Sequence, residues 1–276
     1  MKMGTIGNTA RILGVLIILG IAVFPLYWML TTALTSQDSL FGDSLQFLPD
    51  FSQLSVFGEA LSRGNVPQWL LNSFLISAGT TAVSIFFAVP LAYALSRFSF
   101  HGKVLVGLGL LLTQMLPEAL LVVPLFSIFQ DFGLLNSLAG LVLANSAFVM
   151  PICALILKGA IDGIPREIEE AARIDGCGPL TILTRINIPL IMPSLSAAAV
   201  IAFFHAWNEY VFAVTFIFDL EKRPASVGLA GFIGELGTPL PTVMAVAFMF
   251  TLPAVAFYLF AQRYVVSGLT AGAVKG

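Results

Sequence analysis

The chain has 276 residues, of which 58% are hydrophobic and only 10% charged, with a mean hydropathy of +0.96 and a formal net charge of −2. A soluble domain carries about 25% charge, so this much apolar surface cannot close into one water-soluble core and must be solvated by lipid. No basic cluster could neutralise several phosphates, which excludes nucleic-acid binding.

Crossing about 30 Å of hydrocarbon takes about 20 mostly apolar residues. Six stretches meet that length, roughly 12–33, 70–95, 104–129, 139–157, 191–218 and 241–262. They are continuously apolar rather than alternating, which predicts an all-α integral membrane protein with one transmembrane domain over 1–276. The first stretch, Arg11 to Leu34, exceeds the about 7–15 apolar residues of a cleavable signal and reads as an uncleaved span. Pro25, Pro90, Pro117, Pro124, Pro151 and Pro253 fall inside spans and should kink them where neighbours satisfy the freed carbonyls.

Lys and Arg set the orientation. With the N-terminus inside, Lys2, Arg11, Arg97, Lys103, Lys158, Arg166, Arg173, Arg185, Arg263 and Lys275 are cytoplasmic, ten of the thirteen. Arg63, Lys222 and Arg223 lie outside. Both termini are therefore expected in the cytoplasm, with 35–69, 130–138 and 219–240 external. The first external segment carries Asp38, Asp43, Asp50, Glu59 and Trp69, and none is long enough for a folded extracellular domain. The basic turn 96–103, SRFSFHGK, reads as a topology determinant. Cys153 in the fourth span and Cys177 in a cytoplasmic loop read as small packing residues, since a reducing compartment disfavours their pairing and neither has a metal-ligand spacing.

Residues 159–190, GAIDGIPREIEEAARIDGCGPLTILTRINIPL, hold eight charges in 32 residues. That is too long for an ordinary connection of about 2–8 residues and too patterned for disorder. Pro165 suits the first turn of a helix, and Glu167, Glu169 and Glu170 then fall near its positive end. Ile164, Ile168, Ala171 or Ala172, and Ile174 or Asp175 give one apolar stripe opposite a charged face. Gly176 and Gly178 stop this helix, and Thr181 to Ile188 resumes an amphipathic pattern before Pro189 and Pro193. Two short helices joined by a glycine turn are predicted, with Ala171 and Ala172 small enough for close approach of a partner; a self-packed re-entrant loop is the alternative.

Ionisable groups within spans cost roughly 2.5–3.5 kcal/mol on insertion scales and so face a bundle or cavity. Gln114 and Glu118 share a face of the third span at i, i+4, while His205, Asn208 and Glu209 share a face of the fifth. Each set lines a pathway or makes interhelical hydrogen bonds.

EAARIDGCGPLTILTRINIP resembles the EAA loop of ABC importer permeases: Glu-Ala-Ala, Gly after three further residues, then Ile–x–Leu–Pro after nine more. Glu170, Ala171, Ala172, Gly176, Ile186 and Pro189 fit that frame, whereas Ile188 replaces the usual Leu, Leu183 an aromatic and Cys177 an Ala. WLLNSF at 69–74, WNEY at 207–210 and the terminal GLTAGAVKG resemble the carbohydrate branch of the family, close to maltose- and trehalose-transporter inner-membrane subunits.

The resemblance implies the type I permease fold in a bacterial cell membrane. It implies a second homologous permease subunit, two cytoplasmic ATPase subunits and an extracytoplasmic sugar-binding protein as partners besides lipid. Glu170 becomes the charged contact to a basic residue of the ATPase. Ala171, Ala172 and Gly176 supply the fit, with Arg173 and Asp175 as rim charges. Asn208 and Glu209, with Trp207 and Tyr210, become a sugar pathway or gate; Gln114 and Glu118 are further candidates, and Phe204 an aromatic for sugar faces. The tail Thr270-Ala271-Gly272-Ala273-Val274-Lys275-Gly276 is a frayed end or, as in maltose-type relatives, a contact between ATPases. No GxxxxGK[ST] is present, so no cofactor is expected on this chain, and ATP and magnesium belong to the partner ATPase. Rival readings are a permease for another solute and a stand-alone carrier, which would show inverted repeats that the two halves lack. An intramembrane enzyme lacks a nucleophile–base pair or HExxH motif.

Overall fold

The computed structural model describes residues 5–42, 46–234 and 237–273, with 5–10, 234, 260 and 263–273 described by backbone alone. Lys2, Asp43 and Val274-Lys275-Gly276 lie outside the described residues, as do the side chains of Arg263 and of Thr270 to Ala273. The described residues form helices α1 (Thr5–Ala33), α2 (Val66–Arg97), α3 (Lys103–Thr113), α4 (Glu118–Asp131) and α5 (Leu138–Asp162). After these come α6 (Arg166–Ile174), α7 (Pro179–Ile182), α8 (Met192–Asn208), α9 (Val211–Phe216), α10 (Ala225–Gly234) and α11 (Leu240–Ala273), with short helical turns between some of them. Among the described residues four helices are continuously long and apolar enough to cross a bilayer, or up to six spans if each of two bent helix pairs counts as one.

Two of the stretches expected as single spans are broken. Between α3 and α4 the axis turns by 104°. Pro117 has no N–H to donate and disfavours helical backbone in the residue before it, so the helix stops at Gln114 and restarts at Glu118. Gln114 and Glu118 therefore do not share a helical face. The chain turns by 82° at Ile191, where the fifth stretch begins, between Pro179–Leu190 and Met192–Asn208, and that stretch is itself interrupted before Val211. His205 and Asn208 lie on α8, but Glu209 follows its last residue with extended backbone, so the expected common helical face is lost there too. Pro25, Pro90, Pro124, Pro151 and Pro253 are accommodated inside continuous helices.

The chain divides into two compact units, Met1–Val66 with Leu229–Leu252, and Pro67–Gly228 with Pro253–Gly276. In the first, the apolar side chains of α1 point outward along residues 12–24, as expected of a helix solvated by lipid, while its end at Thr31, Thr32 and Ala33 is buried. Phe57 meets Phe248 edge-on, Gln37 accepts from the Leu240 N–H, and the Tyr27 hydroxyl donates to the Phe47 carbonyl.

In the second unit α5 runs through the middle. Ala88 and Ala92 of α2, Cys153 and Ala154 of α5, and Ala198 and Ala202 of α8 are fully buried in one cluster. Lipid offers no hydrophobic gain for helix association, so small residues that let backbones approach supply the packing. Cys153 is such a residue, its Sγ 3.5 Å from the Ala198 carbonyl. A second cluster is built on Phe129, Phe212 and Phe216 with Ile76 and Leu141.

Loops assigned above to the same side of the membrane meet each other. Asn136, in left-handed backbone at φ 55°, donates to Asp219 Oδ2 and accepts from the Phe218 and Asp219 N–H groups. In the WLLNSF segment Trp69 Nε1 donates to Leu220 O, Asn72 donates to Glu221 O and Arg223 O, and Ser73 Oγ accepts from Ala225 N. That motif is a clamp on the segment entering α10, and Gly228 of α10 lies flat against the Trp69 ring. A Cβ on Gly228 would stand 2.2–2.7 Å from three ring atoms. Gly228→Ala is therefore expected to destabilise the protein by about 1–3 kcal/mol, read as a lowered Tm in detergent. Gly231→Ala, where nothing lies within 4 Å, should leave the Tm unchanged.

Candidate functional site

The 159–190 loop folds as two short helical segments around a glycine turn. Pro165 occupies the N-cap of α6, one position before the first turn expected for it, and Glu167 and Glu169 sit in that first turn. The helix ends at Gly176 (φ +83°), with Cys177 N donating to Ala172 O and Gly176 N to Arg173 O. This pairing satisfies carbonyls that a helix end otherwise leaves open, and its φ suits glycine. The second segment is not one regular helix. Leu183–Asn187 forms a single π-helical turn, with Ile188 N donating back to Leu183 O. The extra residue rotates Asn187 inward, where it is fully buried.

The apolar stripe expected along α6 is divided, with Ile164 and Ala172 buried and the rest exposed. Its inward face carries Glu169 and Ala172, while the apolar Ile168, Ala171 and Ile174 face outward. Ile174 is 88% exposed, and Leu180 beyond the turn 73%. Ala172 packs within its own chain and offers no surface to a partner, unlike Ala171. Glu170, Arg173, Asp175, Gly176 and Pro189 are exposed, and Ile186 is half-buried.

Burial of Glu169 is made tolerable by Arg97, the last residue of α2. Arg97 Nε donates to Glu169 Oε1 at 2.6 Å, and the two side chains are 5% and 3% exposed. Arg97 Nη2 also donates to the Ile164 carbonyl at 2.9 Å, and Asn187 Nδ2 donates to Glu169 Oε1 at 3.0 Å. A cation at a helix C-terminus and an anion in a helix first turn are each favoured by the local dipole. One residue earlier, Ser96 Oγ donates to Asp162 Oδ1 at 2.6 Å, and Asp162 also pairs with Lys158. Around this pair Arg97, Arg166, Glu169, Glu170 and Arg173 line a polar cleft of about 60 Å³. Sequence reading placed Arg97 as a topology determinant and passed over Glu169 and Asn187 as partners. Periodicity identifies two faces of a helix but not which one meets the protein.

The residues expected along a pathway separate into two kinds. Trp207 is buried and stacked on Phe203 at 5.7 Å. Glu209 is buried as well, and its oxygens accept from Phe212 N at 2.6 Å and Ala213 N at 3.0 Å, so the side chain caps α9. Ser226 Oγ donates to the Glu209 carbonyl. Asn208 and Tyr210 are exposed beside this joint, with Asn208 donating to Phe204 O. Partly exposed His205 and Glu118 pair at 2.8 Å between Nε2 and Oε1, joining α8 to the first turn of α4, and Gln114 donates to Phe148 O. His205–Glu118 and Gln114–Phe148 thus bridge helices, whereas Glu209 and Asn208 bond backbone groups close to them in the chain. Among the described residues there is no cluster of His, Cys, Asp and Glu able to hold a metal.

Residues 82–270 match the family described as binding-protein-dependent transport system inner membrane component. The chain is 33% identical over 270 residues to the sulfoquinovosyl glycerol transport system permease protein of Agrobacterium fabrum, covering 98% of this chain and 95% of that one. It is 34% identical over 268 residues to the trehalose/maltose transport system permease protein of Thermococcus litoralis, covering 96% of each. Its fold is similar to a crystal structure of a bacterial ABC transporter involved in import of the acidic polysaccharide alginate, with a TM-score of 0.81 and 23% identity over 96% of this chain and 98% of that one.

Removing the Glu209 cap leaves two N–H groups unpaired in a buried site. Glu209→Ala is expected to lower stability by about 2 kcal/mol, measured as a Tm shift in detergent. Asn208→Ala, on an exposed side chain, should leave the Tm within error.

Proposed function

The chain belongs to the family of binding-protein-dependent transport system inner membrane components, and we propose that it forms half of a sugar translocation pathway driven by a separate ATPase. The observation that carries this reading is the outward apolar face of α6 within the EAA loop. Ile168, Ala171 and Ile174 present an uncovered apolar surface bordered by Glu170, Arg173 and Asp175, while the helix is held from behind. An apolar centre with a charged rim is what a protein partner buries. In this reading a cytoplasmic ATPase subunit takes α6 into a cleft, Glu170 meets a basic residue of that subunit, and Gly176 sets the angle of the turn. Ile186 and Pro189 fix the second segment where the chain re-enters the bundle.

Closure of two ATPases around ATP and magnesium then rocks this subunit against a second, homologous permease. An extracytoplasmic sugar-binding protein delivers the cargo. The chain crosses the membrane six times with both termini in the cytoplasm, the spans lying over the six apolar stretches. A di- or oligosaccharide is the favoured cargo, because several relatives carry sugar names and both WLLNSF and WNEY are present. The polar groups offered to a passing hydroxyl are Gln114, Glu118, Asn208 and Tyr210, with Trp207 and Glu209 shaping the joint behind them.

Uptake of radiolabelled di- and oligosaccharides, amino acids and phosphate compounds, compared in a strain lacking this chain with and without the gene restored, tests the cargo: restoration for one sugar supports it, and restoration only for an amino acid or phosphate compound contradicts it. For coupling, Ile174→Asp and Glu170→Lys are expected to lower co-purification of the ATPase at least about tenfold while membrane insertion persists. Gly176→Pro, which cannot adopt φ +83°, should abolish uptake.

A further inference from the structure

We infer that Arg97 is a positioning residue for coupling, tying the exposed α6 to α2 so that a displacement of α6 is delivered to a helix the loop does not reach through the chain. The inference rests on the docking role proposed for α6. The 159–190 loop is covalently continuous with α5 on one side and α8 on the other, so those two helices are pulled whenever it moves. Helix α2 ends 72 residues before Glu169 and has no such connection. What joins it to the loop is a set of directional bonds from its last two residues: Ser96 to Asp162, and Arg97 to both Ile164 O and Glu169. Asn187 completes the set from the far side of the loop. One side chain, Glu169, thus joins α2, α6 and the π-helical turn before α8.

Apolar packing alone does not do this. Ile164 and Leu183 pack against the same cluster as Ala92 and Tyr93 of α2, but apolar contacts between small side chains slide at little cost. A buried ion pair adds little net stability over an apolar pair of the same volume, and its recurrent benefit is a defined geometry. Here it stands at the junction of an exposed helix with a membrane-spanning one. Arg97 has the fixed fork of donors that a lysine lacks, and uses one arm on the loop backbone and the other on Glu169.

The test uses the complete importer, purified with its ATPase subunits and reconstituted in liposomes with its binding protein. Arg97→Met alone leaves an uncompensated buried carboxylate and can fail to fold, so the decisive variant is Arg97→Met with Glu169→Leu, which removes both charges. It is expected to assemble with the ATPases to within about twofold of wild type, while the substrate moved per ATP hydrolysed falls about tenfold, the range in which coupling positions act. Arg97→Lys should fall between the two. A double variant with wild-type stoichiometry overturns the inference. So does loss of assembly in the double variant, because the pair would then shape the docking surface rather than transmit its movement. Ile174→Asp separates the two readings: wild-type assembly in that variant removes the docking role itself, whatever the Arg97 variants do.

Discussion

In hydrocarbon there is no water to complete a hydrogen bond, so every backbone group within a span must find its partner inside the protein. Continuous helices meet most of that condition within themselves, and in α1, α2, α5 and α11 only the carbonyl opposite an internal proline (Pro25, Pro90, Pro151, Pro253) lacks its helical donor. The protein nevertheless interrupts two of its apolar stretches, at 114–117 and at 209–210, and bends sharply at Ile191. At 209–210 the freed N–H groups are capped by a side chain, and at 114–117 a side chain ties the break to α5. Glu209 accepts from two N–H groups at the start of α9, Ser226 donates to the Glu209 carbonyl, and Gln114 donates to Phe148 O. Glu209, Ser226 and Gln114 thus all serve backbone groups at or beside these breaks.

The same constraint holds at the 159–190 loop. A carboxylate buried at Glu169 would be costly alone, and it is tolerated because Arg97 and Asn187 both donate to it. Facing Glu169 inward turns Ile168, Ala171 and Ile174 outward. The outer side of α6 therefore mixes these exposed apolar side chains with Glu167, Glu170, Arg173 and Asp175. The buried ion pair and the exposed apolar face are thus two consequences of one rotation of α6.

Much of this was legible in the sequence. Six apolar stretches, the asymmetry of Lys and Arg, and the glycine turn at Gly176 follow from composition, length and backbone chemistry. The spacing from Glu170 to Pro189 was legible as a resemblance. Pro117 was visible as a perturbation, but whether it kinks a helix or turns the axis by 104° depends on what packs around it. The orientation of α6 depends on Arg97, 72 residues before Glu169, and that pairing leaves no periodic trace. The clamp from Asn72 to Glu221 and Arg223 spans about 150 residues and is equally invisible to pattern. His205, Asn208 and Glu209 share a face only if the fifth stretch is one helix, and a helix end between Asn208 and Glu209 sends those two side chains to different work.

The surface of the 159–190 loop is open to a direct probe already in the chain. Cys177 sits half-buried at the glycine turn, and Cys153 is fully buried among α2, α5 and α8 as an internal reference. Labelling with a membrane-impermeant maleimide in inside-out vesicles compares the permease alone with the permease co-expressed with its ATPase. Labelling of Cys177 without the ATPase, and its protection when the ATPase is present, is the predicted result. Equal labelling in both preparations, or labelling of Cys177 only from the outer face of intact cells, would contradict a cytoplasmic docking surface at this loop.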